Sequence, residues 1–177
     1  MLHEIRTERL ILRRARPDDL APLHAMMSDA ETMRYWSTPP HEDLARTRDF
    51  LDSMLAAPSD ASDEFIVERN GEAIGKMGAW RLPEVGYLIG RPHWGQGYAT
   101  EAMAAFTAYA FAQRTDHLTA DVDPRNTASL ALLARAGFRE TGRAQRTWCV
   151  GGEWCDSVYL RLDRPGAGAI SSRDRTR

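Results

Sequence analysis

The sequence is poor in the residues that build metal centres and disulfide frameworks. Cys149 and Cys155 are its only cysteines, and no histidine cluster accompanies them. That pattern excludes a zinc motif and gives no disulfide framework. The five histidines (3, 24, 41, 93 and 117) are scattered without ligand spacing, so no metal is expected. Charge of one sign is also lacking: 23 basic against 25 acidic residues leave a net charge of −2. Such a balance exerts no strong pull on nucleic acid. Lys76 is the only lysine, so the positive charge is almost all arginine. No apolar run reaches the length of a membrane span, and the N-terminus has no signal-peptide core; cytoplasmic residence is the expectation. A nucleotide-triphosphate loop, Gly-x-x-x-x-Gly-Lys-Ser/Thr, is missing as well.

The 177 residues suit one domain around one core, here placed at 1–164, with 165–177 as a loose polar tail. Leu2 to Arg14 reads as a strand. Pro17-Asp18-Asp19 opens a helix with an aspartate as N-cap, carrying Leu20, Leu23 and Met27 at helical spacing. A second helix is predicted from about His41 to Ala57, with Leu44, Leu51, Met54 and Leu55 as its apolar stripe. Strands at 65–67 and 73–80 flank Asn70-Gly71, a strong hairpin signal, and another strand covers 84–90. A long amphipathic helix, a strand at 117–122, a helix at 127–136 ended by Gly137, and a hairpin around Gly151-Gly152 complete the chain. The order predicts a mixed α/β fold with a mainly antiparallel sheet covered by helices.

The most informative stretch is Arg91-Pro-His-Trp-Gly-Gln-Gly-Tyr-Ala-Thr-Glu-Ala102, where a strand enters a glycine turn that opens a helix. Gly95 and Gly97 let a ligand approach the backbone. The first amides of the helix have no partners within it, and the helix dipole favours negative charge there. The arrangement is a cradle for phosphate or pyrophosphate. A dinucleotide fingerprint needs a third glycine where this chain has Thr100, and the hairpin-rich strand order also opposes a dehydrogenase.

Two separated motifs make the resemblance specific. The run Gly86 to Ala102 resembles the acetyl-CoA loop of the GNAT N-acetyltransferases. Ala120 to Ser129, followed by Leu132-Leu133 and Gly137-Phe138, is similar to their second signature. Trp94-Gly-Gln-Gly, Asn126-x-x-Ser129, Tyr35-Trp36, and Trp154 with Asp156 are similar to the RimJ/RimL-type branch. The resemblance implies acetyl transfer from acetyl-CoA to a primary amine, either a protein N-terminus or a small amine, by direct attack in a ternary complex. It places pyrophosphate on the amides of Gly95, Gln96, Gly97, Tyr98, Ala99 and Thr100. Pantetheine would pair with backbone at Leu88, Ile89 and Gly90, on a strand that splays from its neighbour, and an amide near Leu88 would polarise the thioester. Asn126 would orient pantetheine or cap the helix, and Arg135 would meet a CoA phosphate. Dimerisation is common in the family. The chain departs from the pattern twice: Pro92 removes one amide donor, and Leu133 stands where many members place a tyrosine acid.

Two side chains are candidates for the chemistry. A general base must take a proton from the attacking ammonium. Glu84, at the start of the thioester strand, is the first candidate; the alternative is a solvent-facing strand glutamate. Ser129 is the candidate acid or thiolate stabiliser; the alternative is a serine that only caps its helix. His93 is a lesser candidate as a second base, and Glu101 is read as a carboxylate favoured by the helix dipole. Tyr35, Trp36, Trp148 and Trp154 are assigned to an amine pocket, with core packing as the alternative for each. Glu153 and Asp156 would meet the amine's charge. A non-catalytic acyl-CoA sensor would need the glycine turn and Asn126 but no base.

Overall fold

The computed structural model describes residues 4–57 and 62–166. The expected first strand is two: β1 (Glu4–Arg6) and β2 (Ile11–Arg13), paired antiparallel. A turn without glycine or proline separates them, closed by the Thr7 amide on the Leu10 carbonyl (2.9 Å) and the Leu10 amide on Thr7 Oγ1 (2.9 Å). Alternation alone cannot see such a turn, because its polar side chains continue the period.

A 3-10 turn, Pro17–Asp19, leads into α1 (Leu20–Met27). Asp19 holds the N-cap position of α1, as expected, but its side chain makes no capping bond to that helix. Its buried carboxylate accepts from the Arg16 amide (2.7 Å) and pairs with Arg13 (2.7 Å). The second helix, α2 (Leu44–Ala56), starts three residues later than predicted, because Asp43 Oδ1 accepts from the Arg46 amide (2.9 Å) and sets the N-cap. Its inward face also differs. Leu44 and Leu55 are exposed, and the side facing the sheet carries Thr47, Phe50, Leu51 and Met54. Thr47 can be fully buried because its hydroxyl lies between His24 Nδ1 (2.8 Å) and His41 Nδ1 (2.9 Å).

The remaining elements follow the predicted order. β3 (Asp63–Arg69) and β4 (Glu72–Arg81) turn at Asn70-Gly71, both at positive φ (51° and 83°), as a type I′ hairpin requires. Then come β5 (Glu84–Ile89), α3 (Tyr98–Gln113), β6 (His117–Val122) and α4 (Thr127–Arg135). The chain ends in the hairpin β7 (Arg139–Val150) and β8 (Glu153–Asp163). Residues 167–177 of the expected tail lie outside the described residues.

One eight-stranded sheet runs in the order β1-β2-β3-β4-β5-β6-β8-β7. Every neighbour pair is antiparallel except β5 with β6. One face packs on α3 and α4 through a core that includes Phe65, Met77, Met103, Phe106 and Leu118. The other packs on α1 and α2 through Leu23, Met27, Leu51 and Ile66. Burying each such side chain contributes roughly 1.5–3 kcal/mol, which is why a sheet apolar on both faces takes helices on both. Among the described residues, no helix is long and apolar enough to cross a membrane.

Candidate active site

The site begins where the sheet comes apart. β5 and β6 pair at a single position, Glu84 opposite Thr119, with the Thr119 amide on the Pro83 carbonyl (2.9 Å). Beyond it the strands diverge. Among the described residues, no strand pairs with the edge of β5 that faces away from β4 over residues 85–89.

Register decides which groups that edge offers. The Gly90 amide donates to the Ile74 carbonyl of β4 (2.9 Å), and Leu88 sits opposite Lys76 in the same ladder. Hydrogen-bonding direction alternates along a strand, so Leu88 and Gly90 turn their amides towards β4. Tyr87 and Ile89 present theirs to the opening. Of the three positions expected to meet pantetheine, Ile89 faces the opening, whereas Leu88 and Gly90 turn their amides towards β4. The Ile89 carbonyl already accepts from the Trp94 indole (2.6 Å), which fastens the glycine turn to the strand.

The turn itself has the expected form. Gly95 (φ 73°) and Gly97 (φ 81°) occupy the left-handed region, and a Cβ at Gly95 would meet nothing within 4 Å. Glu101 makes the first helical bond, to the Gly97 carbonyl (3.0 Å), so the amides of Tyr98, Ala99 and Thr100 are free of helical acceptors. Glu101 does more than complement the helix dipole. Its carboxylate accepts from Thr7 Oγ1 (2.6 Å), the Arg9 amide (2.9 Å) and Arg9 Nε (2.7 Å), tying the helix start to the β1–β2 turn. Arg9 also donates to the Gln96 carbonyl (2.9 Å). These bonds fix the glycine turn and the helix start against the β1–β2 turn.

Two cavities flank the opening. One, about 590 Å³, runs along the glycine turn and is lined by Leu88, Ile89, Gly95, Gly97 to Thr100, and Arg135. His93 lies here, within 4.0 Å of Glu72 and away from the place for a base that the sequence suggested. The other, about 960 Å³, spreads between α2, β4, β6 and the β7–β8 hairpin. Glu84, Asp121, Trp148, Glu153 and Asp156 line it. Arg34, Tyr35, Trp36, Tyr87, Asn126 and Ser129 line both cavities, so this group marks where they meet.

The polar groups at this junction have definite partners. Asn126 Oδ1 accepts from the Ser129 amide (3.1 Å), capping α4. Ser129 Oγ is hydrogen-bonded to the Tyr87 hydroxyl at 2.5 Å. Burial raises the Tyr87 phenol above its ordinary pKa, and the Ser129 bond offsets part of that rise. Glu84 lines the cavity but is exposed to solvent, and its carboxyl is raised from its ordinary value, first by desolvation and then by Asp121. Asp121 Oδ2 accepts from the Trp148 indole (2.8 Å). Glu153 is bound instead to Arg125 (2.5 Å), which also grips Asp123 (2.7 Å). Asp156 accepts from the Arg146 amide (2.9 Å).

One aromatic assignment fails. Trp148 pairs with Cys155 and Trp154 with Cys149, so the two tryptophans project to opposite faces of the hairpin. Both rings are about half exposed; Trp148 lines the cavity with Cys155, while Trp154 lies outside it beneath the Arg146 guanidinium (5.1 Å). Sequence reasoning missed Tyr87, Asp121 and the buried Lys76–Glu64 pair, which lines the larger cavity beside the Trp36 ring (5.3 Å). A tyrosine inside an otherwise apolar strand was the available signal for the first. Among the described residues, no group of three or more His, Cys, Asp or Glu could hold a metal.

A family model described as an acetyltransferase (GNAT) domain matches residues 9–139. N-acetyltransferase p20 of Bacillus licheniformis, itself uncharacterized, is 33% identical over 146 residues, covering 77% of this chain and 82% of that protein. The ribosomal protein uS5-alanine N-acetyltransferase of Escherichia coli is 36% identical over 91 residues, 50% of this chain and 46% of its own. Spermidine N-acetyltransferase of Vibrio cholerae, solved with CoA and spermine, shares the fold with a TM-score of 0.77 at 21% identity, covering 89% of this chain and 96% of that one. With the splayed strand, the glycine cradle and the matched model in agreement, the chain belongs to the GNAT acetyltransferase family.

Proposed function

We propose that this enzyme moves acetyl from acetyl-CoA to a primary amine by direct attack in a ternary complex. The observation that carries the reading is the meeting of two cavities at Tyr87 and Ser129, where β5 leaves β6. The smaller cavity ends at the cradle and takes the cosubstrate: pyrophosphate on the amides around 95–100, pantetheine along the free edge of β5, and a CoA phosphate near Arg135. The larger takes the amine.

The chemistry follows from placement. Glu84 stands in the acceptor cavity with its carboxyl raised, as a base working near neutral pH should be. The Tyr87 and Ile89 amides are fixed donors for the oxyanion that forms as the amine attacks, and one such donor contributes about 3 kcal/mol. Ser129 meets the departing sulfur. Ser129→Ala is expected to lower kcat about 10-fold to 100-fold with unchanged affinity for acetyl-CoA, read by thiol release and calorimetry. An unchanged kcat removes Ser129 from the mechanism.

The acceptor is a cationic amine, either a peptide α-amine or a small amine. Glu84, Asp121 and Asp156 line the cavity, and none of them forms an ion pair among the described residues. The Trp36 and Trp148 rings add faces suited to a cation. Relatives acting on a ribosomal-protein alanine and on spermidine bracket this class. The test is an acetyl-transfer screen over N-terminal peptides and small amines. Turnover on one class names the acceptor; turnover on none overturns the reading in favour of a non-catalytic acyl-CoA sensor.

A further inference from the structure

The family pattern would place a tyrosine at position 133 as the acid for the leaving thiolate, and this chain has Leu133, fully buried in the core. The structure supplies a phenol from another element. Tyr87 comes from the middle of β5 and reaches across the opening to Ser129 on α4, at 2.5 Å. We propose that Tyr87 and Ser129 form a two-hydroxyl proton relay, in which Tyr87 acts through Ser129 as the proton source for the departing CoA thiolate. The proposal rests on the acetyl-transfer reading above.

Three observations carry it. First, a serine hydroxyl alone is a poor acid, since donating its proton leaves an alkoxide; a second donor on its oxygen removes that obstacle. Second, the bond is short, and both residues line both cavities, so the pair sits at the place of transfer and not in a closed core. Third, the partners are held from opposite sides. β5 is held in the ladder with β4, and the Ser129 amide is fixed by Asn126 (3.1 Å). The Tyr87 phenol is kept protonated by burial, so it enters each turnover charged with its proton.

The step balances. The tetrahedral adduct collapses, the C–S bond breaks and sulfur keeps the electron pair. Sulfur takes the Ser129 proton while Ser129 Oγ takes the Tyr87 proton. The phenolate left behind is reprotonated by solvent through the acceptor cavity. The nitrogen, an ammonium at the outset, gives up two protons: one to Glu84, which frees the attacking amine, and one to solvent from the cationic nitrogen of the adduct. Charged groups that line the two cavities include Arg34 after α1, Glu84 on β5, Asp121 on β6, Asp123 and Arg125 before α4, and Arg135 at its end. Asp123 and Arg125 neutralise one another (2.7 Å). Among the described residues, none of the six is hydrogen-bonded to Tyr87 or Ser129 through its side chain.

The test uses the full chain with Tyr87→Phe, Ser129→Ala, the double variant, and a ring-fluorinated tyrosine placed at position 87. The phenylalanine keeps the ring and its packing, so thermal stability and the acetyl-CoA dissociation constant serve as structural controls. Tyr87→Phe is expected to lower kcat at least about 10-fold with acetyl-CoA affinity unchanged. The double variant should be no slower than the slower single, because the two hydroxyls act in one chain. The fluorinated phenol, a stronger acid, should keep kcat near neutral pH and move the alkaline limb of its pH profile downward. A kcat within twofold of wild type for Tyr87→Phe, defects that multiply in the double variant, or an alkaline limb indifferent to fluorination would each overturn the relay. These outcomes presuppose an active wild type. A wild type inactive on every amine sinks the transfer reading itself, so the two failures are told apart.

Discussion

Glu84→Gln is expected to lower kcat about 100-fold while leaving the dissociation constant for acetyl-CoA unchanged. Glutamine keeps the size and polarity of the side chain but cannot take a proton from the incoming ammonium. Glu84 lines the acceptor cavity alone, apart from the glycine cradle, so cosubstrate binding should not register the change. The pH dependence gives the sharper reading. A base works when deprotonated, so raising its pKa moves the acid limb of the kcat profile upward. Desolvation and Asp121 both push Glu84 in that direction. The wild-type limb should therefore lie above the range of an ordinary glutamate, vanish in Glu84→Gln, and move down in Asp121→Asn, where the neighbouring negative charge is gone. An acid limb that survives Glu84→Gln would assign the proton transfer to another group.

The glycine turn was the part of this site most legible in the sequence. Turn chemistry is local: two glycines at positive φ and a helix start are written in consecutive residues. The order of elements was legible for the same reason, since period and punctuation act over a few residues. What the sequence concealed depends on register. Whether Leu88 or Ile89 offers its amide to the opening is settled by pairing with β4, and whether Trp148 or Trp154 enters the cavity is settled by pairing across β7 and β8. A shift of one residue in a ladder would reverse the answer that ladder decides. The Tyr87–Ser129 contact joins residues 42 apart in sequence, through the meeting of β5 with α4. The stripe on α2 was misread because Thr47 counts as polar in a pattern, whereas two histidine nitrogens satisfy its hydroxyl.

Asp63→Ala should be the most destabilising single change outside the site. The carboxylate is almost fully buried and receives Arg14 (2.8 Å), the Tyr109 hydroxyl (3.0 Å) and Arg114 Nε (2.7 Å). It thereby fastens the far end of α3, where Arg114 caps the helix, to β2 and β3. Removing it leaves arginines facing each other without their shared anion and strands a buried tyrosine hydroxyl. Breaking a buried pair from one side costs about 3–5 kcal/mol, which for a chain of this size lowers Tm by roughly 10 °C. Tyr109→Phe, which removes one hydrogen bond, should cost only about 1 kcal/mol. The cradle lies at the opposite end of α3, roughly 24 Å away along a helix packed through Met103, Phe106 and Ala110. At temperatures where Asp63→Ala remains folded, calorimetry should find acetyl-CoA bound as in the wild type. A loss of affinity matching the loss of stability would show instead that the two ends of α3 are coupled, and that the clamp sets the position of the cradle.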